Sequence, residues 1–363
     1  MMNLSVKQLK AKHGVVCRMP ADRFGYFGWP SVTRLDDGAL MVVSSGLRTA
    51  HVCPFGKTVI NESRDNGATW SEPRVIQDSL IDDRDGGIVN LGGGKLLVSW
   101  FRTDTRLRGV PQNASDEVRT LWEDAFAGWT DDTVNPLVGS WVMRSEDGGA
   151  TWGTPVRAPV SAPHGPIALR DGSLLYLGKN FGVQRDLVES RIFAARSKDG
   201  GLTWQEAGTV PVAPDTQTIN YHEPHVAELP SGRLLGIIRI QEHEGHELKK
   251  AGIPHFSMMQ TESDDGGCTW TTAKPLGFHG SPPHLARHSS GMLILSYGYR
   301  KEPYGQRVAF SADEGATWDH DWVLRDDGPD HDLGYPCTVA LDDGSLFTVY
   351  YQKAATDDKC SLL

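Results

Sequence analysis

Five basic residues stand at the same point of a recurring pattern. Arg48, Arg102, Lys179, Arg239 and Arg300 each close a run rich in Val, Ile and Leu, such as LLGIIR ending at Arg239. A guanidinium fork binds a carboxylate through two parallel hydrogen bonds. Gathered on one rim, these residues would hold an anion, most simply a sugar carboxylate. A second set opens the preceding run of each pattern: Trp29, Arg84 with Asp85, His164, His222 with Glu223, Pro282 and Tyr335. It adds carboxylates, imidazoles and a phenol, the groups that proton transfer and nucleophilic attack employ. The competing reading is that the arginines pair with Asp83, Asp85 and Glu223. His164, His222, His225 and His284 fit no metal-ligand spacing, so hydrogen-bonding histidines are expected, with no metal or cofactor.

What must position these residues is a strand, a Gly-containing turn and a returning strand, written six times. The copies lie at 29–48, 85–102, 164–180, 222–239, 282–300 and 335–352. Apolar β-rich halves around such a turn are hairpin signals. Between them an octamer S-x-D-x-G-x-T-W recurs five times, at 63–70, 145–152, 197–204, 263–270 and 311–318. Its Asp can accept bonds from the turn's own N–H groups and its Gly supplies positive φ, so it reads as a second hairpin turn. The octamer is expected to fold blades and do no chemistry.

Six units of four strands predict an all-β, six-bladed β-propeller. The sixth unit ends at Leu363, too early for its own octamer. The Val15-Val16-Cys17 run is expected to supply the missing strand beside 359–363 and close the ring. Residues 1–363 read as one domain. Blade two carries an insertion at 103–137, where Ser115 looks like a helix N-cap and Val118, Leu121, Trp122, Ala125 and Phe126 recur at helical spacing. That insertion, and a smaller one at 241–256, should lie on the face where second strands end. The His- and Asp-rich 319–332 reads as a solvated inter-blade loop.

Composition removes several classes of function. A formal net charge of −10 disfavours nucleic-acid and anionic-membrane partners. Five scattered cysteines without a C-x-x-C argue against a disulfide or zinc framework. The opening MMNLSVKQLKAKHG has no apolar core of a signal peptide, so the chain as given reads as cytoplasmic, or secreted if a leader was removed.

The five octamers resemble the Asp-box of the sialidase (neuraminidase) superfamily. Three blade motifs extend the resemblance. His222-Glu223-Pro224 through Arg239 looks like the stretch carrying the family's catalytic glutamate and a carboxylate-binding arginine. Leu295 through Arg300 resembles the stretch with another arginine of that triad. Gly334-Tyr335-Pro336 resembles the end of the pattern, whose first tyrosine is the nucleophile. The resemblance implies that Tyr335 attacks and Glu223 takes its proton, since a phenol with a pKa near 10 needs an adjacent base. Arg239, Arg300 and Arg48 would hold a substrate carboxylate. Two positions depart from the pattern. The first-blade tetrapeptide is Phe27-Gly28-Trp29-Pro30, with glycine where the family has an arginine. The loop 49–56, where the family keeps its acid/base aspartate, has no carboxylate; His51, or Asp85 from the next blade, is the candidate for that role.

The expected function is an exo-acting glycoside hydrolase releasing a terminal acidic sugar, with catalytic candidates Tyr335, Glu223, His51 and Asp85. Substrate-binding candidates are Arg48, Arg84, Arg102, His164, His222, Arg239 and Arg300. The alternatives are a divergent enzyme acting on a uronic-acid-linked sugar, by hydrolysis or β-elimination, and a non-catalytic glycan-binding propeller.

Overall fold

The computed structural model describes residues 7–112, 114–180 and 190–363. The chain forms six antiparallel blades arranged as a β-propeller. Their inner strands are Tyr26–Arg34, Asp82–Gly92, Ile167–Ala168, Tyr221–Glu228, Pro283–Arg287 and Gly334–Ala340. Five blades run outward through four strands in sequence order. The sixth has three, ending at Ser361–Leu362, and Cys17 bridges to Leu362 as its outer neighbour. Val16 N donates to Leu362 O and Leu362 N to Cys17 O, both at 2.9 Å, so the ring closes as the sequence predicts.

The core lies between blades. One apolar cluster joins blades six and one around Phe27, Leu40 and Leu362; comparable clusters join one to two, two to three, three to four and four to five. The octamer turns feed this packing. In each, the Asp carboxylate accepts from the Thr backbone N–H and hydroxyl, at 2.8 and 2.6 Å for Asp65 with Thr69. Asp147, Asp199, Asp265 and Asp313 repeat the pattern. Those bonds hold Asp65, Asp147, Asp199, Asp265 and Asp313 at a pKa of about 2.

The octamer glycine has a second task. Gly149, Gly201, Gly267 and Gly315 have φ between 87° and 92°, and a Cβ there would sit 2.7–2.9 Å from Met41, Leu97, Leu175 or Leu235 of the preceding blade. Glycine is required by backbone and by packing at once. The octamer tryptophans Trp152, Trp204, Trp270 and Trp318 pack in the same inter-blade clusters. They precede the next strand instead of beginning it: the outer strand of blade four starts at Lys274, after Trp270.

The insertion of blade two contains the helix Asp116–Ala127, with Ser115 as N-cap accepting from Val118 N. Trp122 is fully buried and donates from its indole to Thr49 Oγ1 at 3.2 Å, which anchors the helix beside the end of blade one's second strand. Residues 319–332 are not a loop throughout: Asp319–Gly328 is the outer strand of blade five. Among the described residues no helix is long and apolar enough to cross a membrane, and all five cysteines are free.

Candidate active site

Four inner strands begin with the same irregularity. In blades one, two, four and six, one extra residue is inserted against the second strand, between Gly28 and Ser31, Arg84 and Gly87, His222 and Pro224, and Gly334 and Cys337. Each bulge holds a non-glycine residue at positive φ: Trp29 (53°), Asp85 (55°), Glu223 (44°) and Tyr335 (53°). In blade three the position falls to Gly165 (φ 76°). A left-handed residue with a side chain costs roughly 1–3 kcal/mol, and such strain gathers at functional sites. A bulge also re-aims its side chain, here at the mouth of the central channel.

Tyr335 and Glu223 meet there. The phenol donates to Glu223 Oε1 at 2.6 Å, although 112 residues separate them. Arg239 Nη1 donates to Glu223 Oε2 at 2.5 Å and to the Tyr335 oxygen at 3.3 Å. Burial would raise the Glu223 carboxyl, but Arg239, the Tyr335 hydroxyl and Arg300 together hold it below the usual carboxylate range. Burial, then the Glu223 charge, push the Tyr335 phenol upward. The resting arrangement is therefore a neutral phenol donating to a carboxylate, the geometry that a nucleophile and its base require.

Arg300 lies 5.8 Å over the Tyr335 ring and donates to Leu333 O. Phe256, from the 241–256 insertion, lies under both Arg239 (4.9 Å) and Arg300 (5.5 Å), itself at a φ of 52°. Trp29 forms the adjoining wall, its ring 6.4 Å from that of Tyr335 and 4.3 Å from the Arg84 guanidinium. Arg84 reaches Asp82 only at 3.9 Å, and its buried Nε has no hydrogen-bond partner. Asp85 is 6% exposed with its buried Oδ1 unpartnered. Burial pushes its carboxyl to about 7, with Glu223 adding to the rise and Arg84 opposing it.

Four of the expected ligand-binding residues are placed elsewhere. Arg48 is fully buried and bound through both terminal nitrogens to Asp82, with further bonds to Ser45 and the His51 carbonyl. Arg102 donates to Asp83, packed among Trp100 and Trp141. Lys179 is buried and donates to Tyr221 O at 2.6 Å; burial lowers its pKa to about 7. These three strand ends are neutralised or capped inside the blades, which leaves Arg300 and the Glu223-paired Arg239 of the strand ends at the mouth, joined by Arg84 from a strand start. His164 lies below the mouth with His225 and His284, rings 4.4–5.7 Å apart, and is bonded to Ser31 Oγ at 3.0 Å. His222 borders the mouth and contacts His243 Nε2 at 2.9 Å.

His51 does reach the site, with a partner the sequence does not announce. Its Nδ1 lies 2.8 Å from Asp332 Oδ1 and 3.1 Å from Tyr26 Oη, and its ring stands edge-on to Trp29 at 4.9 Å. Tyr26 Oη also donates to Asp332, at 3.0 Å. Burial raises the Asp332 carboxyl, but the His51 and Tyr26 hydrogen bonds outweigh it and hold the group well below the usual range. Among the described residues no three His, Cys, Asp or Glu side chains form a metal-binding group.

Residues 110–348 match the model of the BNR repeat-like domain. Among solved structures, a protein of unknown function from Dyadobacter fermentans superposes with a TM-score of 0.74 at 23% identity, over 96% of this chain and 95% of that one. The NanB sialidase of Streptococcus pneumoniae gives 0.66 at 14% identity, over 96% and 69%. The Trypanosoma rangeli sialidase in complex with sialic acid gives 0.61 at 16% identity, over 98% of this chain but only 57% of that enzyme. At these identities the likeness is one of fold. No curated protein matches the chain.

Proposed function

The chain belongs to the BNR repeat-like domain family, and from that premise we propose that it is an exo-acting glycoside hydrolase releasing a terminal acidic sugar. The observation that carries the reading is the 2.6 Å hydrogen bond from Tyr335 to Glu223, made beside Arg239 at the channel mouth. Tyr335 Oη attacks the anomeric carbon while Glu223 accepts the phenolic proton. A neutral nucleophile avoids driving one carboxylate against another on the sugar. Arg300 and Arg84, with Arg239 behind Glu223, bind the substrate carboxylate and offset charge at the reacting centre. Arg84 supplies from blade two the cation that Gly28 cannot supply from blade one. The leaving oxygen takes its proton from the mouth, from His51 or Asp85. The sialic acid bound by the T. rangeli sialidase is the first substrate class to test.

A second reading has one observation in its favour. Gly28 and the carboxylate-free loop 49–56 alter both the clamp and the acid, which would suit a uronic-acid-linked substrate cleaved by hydrolysis or elimination. One experiment separates the readings. Incubation with a panel of sialosides and uronosides, products weighed by mass spectrometry, should show products heavier by one water and no such products with Tyr335→Phe. Unsaturated products of unchanged total mass establish elimination instead. Saturable binding of an intact glycan without turnover leaves a glycan-binding propeller.

A further inference from the structure

We propose that His51 and Asp332 form the proton-transfer couple of this site, with Asp332, helped by Tyr26, acting as the positioning residue that fixes the imidazole. The inference rests on the glycosidase reading and deepens it, because it assigns the step for which the loop 49–56 has no carboxylate.

The geometry decides the tautomer. An ionised carboxylate only accepts hydrogen bonds, so the 2.8 Å contact between Asp332 Oδ1 and His51 Nδ1 requires a proton on Nδ1. Nε2 is thereby the nitrogen left for substrate. Tyr26, 3% exposed, donates to Asp332 and also abuts Nδ1, and Cys360 Sγ donates to the Asp332 carbonyl. The carboxylate is thus held by Tyr26 and His51 while Cys360 anchors its backbone, and the Trp29 edge fixes the ring plane. The His51 side chain is 46% exposed and Asp332 16%. The leaving group of an exo-acting enzyme departs toward solvent, where His51 sits. Asp85, 6% exposed beside Arg84 and Glu223, lies deeper. Burial lowers the His51 pKa; among the charged groups around it Asp332 favours the imidazolium, and Arg84 and Arg300 oppose it, while Lys353 acts on Asp332.

Both half-reactions balance with these residues. First, Tyr335 Oη bonds to the anomeric carbon, its proton passes to Glu223, and the glycosidic C–O bond breaks. The departing oxygen takes the Nε2 proton of His51 imidazolium. Second, a water oxygen bonds to the anomeric carbon while neutral His51 Nε2 takes its proton. The Tyr335–carbon bond breaks and the phenol recovers its proton from Glu223. Enzyme and protons return to their starting state, with one water consumed.

The test uses the full chain and glycosides of one acidic sugar whose aglycones run from nitrophenol to alkyl alcohols, with kcat/KM reporting the first half-reaction. In kcat/KM, His51→Ala should lose roughly a hundredfold on the alkyl substrate and far less on the nitrophenyl one, whose leaving group needs little protonation, so that the dependence on aglycone steepens. Asp332→Asn should steepen the same dependence in lesser degree. It should also move the basic limb of the pH profile about one unit or more to lower pH, since the charge favouring imidazolium is gone; Asp332→Glu should restore part of both. Equal losses across all aglycones in His51→Ala, or steepening caused by Asp85→Asn, overturn the assignment. Nitrogen-15 NMR of the His51 ring reads the couple without turnover: Nδ1–H in the wild type, and a mixed tautomer in Asp332→Asn. A wild type inactive on every sialoside and uronoside of the panel with the Nδ1–H tautomer intact refutes the glycosidase reading and leaves the positioning role standing. The Nε2–H tautomer in the wild type refutes the couple itself.

Discussion

Acidification should destabilise this propeller through three imidazoles that never touch the proposed substrate. His164, His225 and His284 lie 4–8% exposed in the channel. Leu285 N donates to Nδ1 of His225 at 2.9 Å and Thr338 N to Nδ1 of His284 at 3.3 Å, so both rings are held as neutral acceptors. Burial lowers all three pKa values, His225 to about 3, and the neighbouring rings add to the fall for His164 and His284. A histidine lowered on folding makes no difference to stability well above its unfolded pKa of about 6.5. Below that value the unfolded chain binds a proton that the folded chain refuses, so stability falls with pH until the folded pKa is reached. From pH 7 to 5 linkage gives about 2 kcal/mol per ring, roughly 6 for the three. Against a usual total of about 5–15 kcal/mol that is a large share. Asp83 and Asp85, raised by burial to about 6 and about 7, act in the opposite sense over the same range, by roughly 3–4 kcal/mol together. The wild-type curve alone therefore understates the effect, and a comparison isolates it. His225→Asn keeps an acceptor for Leu285 N and cannot take up a proton. Urea unfolding at pH 7 and pH 5 should show the variant losing about 2 kcal/mol less than the wild type between the two. Equal losses in the two proteins would refute the claim that His225 stays neutral in the folded channel.

Three other perturbations follow from named contacts. Tyr335→Phe removes the oxygen bonded to Glu223 and should lower kcat by roughly a hundredfold or more with ligand affinity little changed, as single-turnover and titration data would show. Arg300→Lys keeps the charge but loses the fork; KM should rise about tenfold with kcat preserved, and a fall in kcat alone would count against carboxylate binding. Trp122→Ala empties a fully buried site and breaks the bond to Thr49, at a cost of about 3–5 kcal/mol; limited proteolysis should then cut within 103–137 before the blades.

How much of this was legible in the sequence depends on the range of the interaction concerned. The octamer turns close within five residues, so their Asp–Thr and Gly signals name them directly. Hairpin repetition places Tyr335 and Glu223 at equivalent strand starts, and ring closure then brings them together, which is why a pair 112 residues apart is visible. The helix behind Ser115 is equally local. The failures concern partners chosen across the ring. Nothing in 319–332 marks Asp332 as the partner of His51, 281 residues away, and a His/Asp-rich stretch looks solvated. The ends of second strands look alike for all five basic residues. Only packing separates Arg48 and Arg102, which are buried against Asp82 and Asp83, from Arg300 at the mouth. Phe256 escaped notice because its position depends on a φ of 52° in an insertion without a repeat.

The two ends of the blades use left-handed backbone for opposite purposes. At the octamer end the fifth residue is a positive-φ glycine, because a neighbouring blade presses within 3 Å of where a Cβ would be, while the fourth position accepts Asn66 and Glu314 at positive φ. Close packing there makes the frame rigid. At the mouth the same backbone region carries Trp29, Asp85, Glu223 and Tyr335, each bearing a strain that glycine would avoid. A residue that gained nothing from its side chain would be replaceable there by glycine with a gain in stability, as blade three's Gly165 illustrates. The strain is tolerable because five octamer-sealed interfaces and the Cys17–Leu362 closure hold the blades in place. It follows that the identity of these four residues, more than the strand ends, sets what the mouth can do. Gly28 beside Trp29 carries no cation in blade one, and Arg84 stacked on the Trp29 face brings one from blade two.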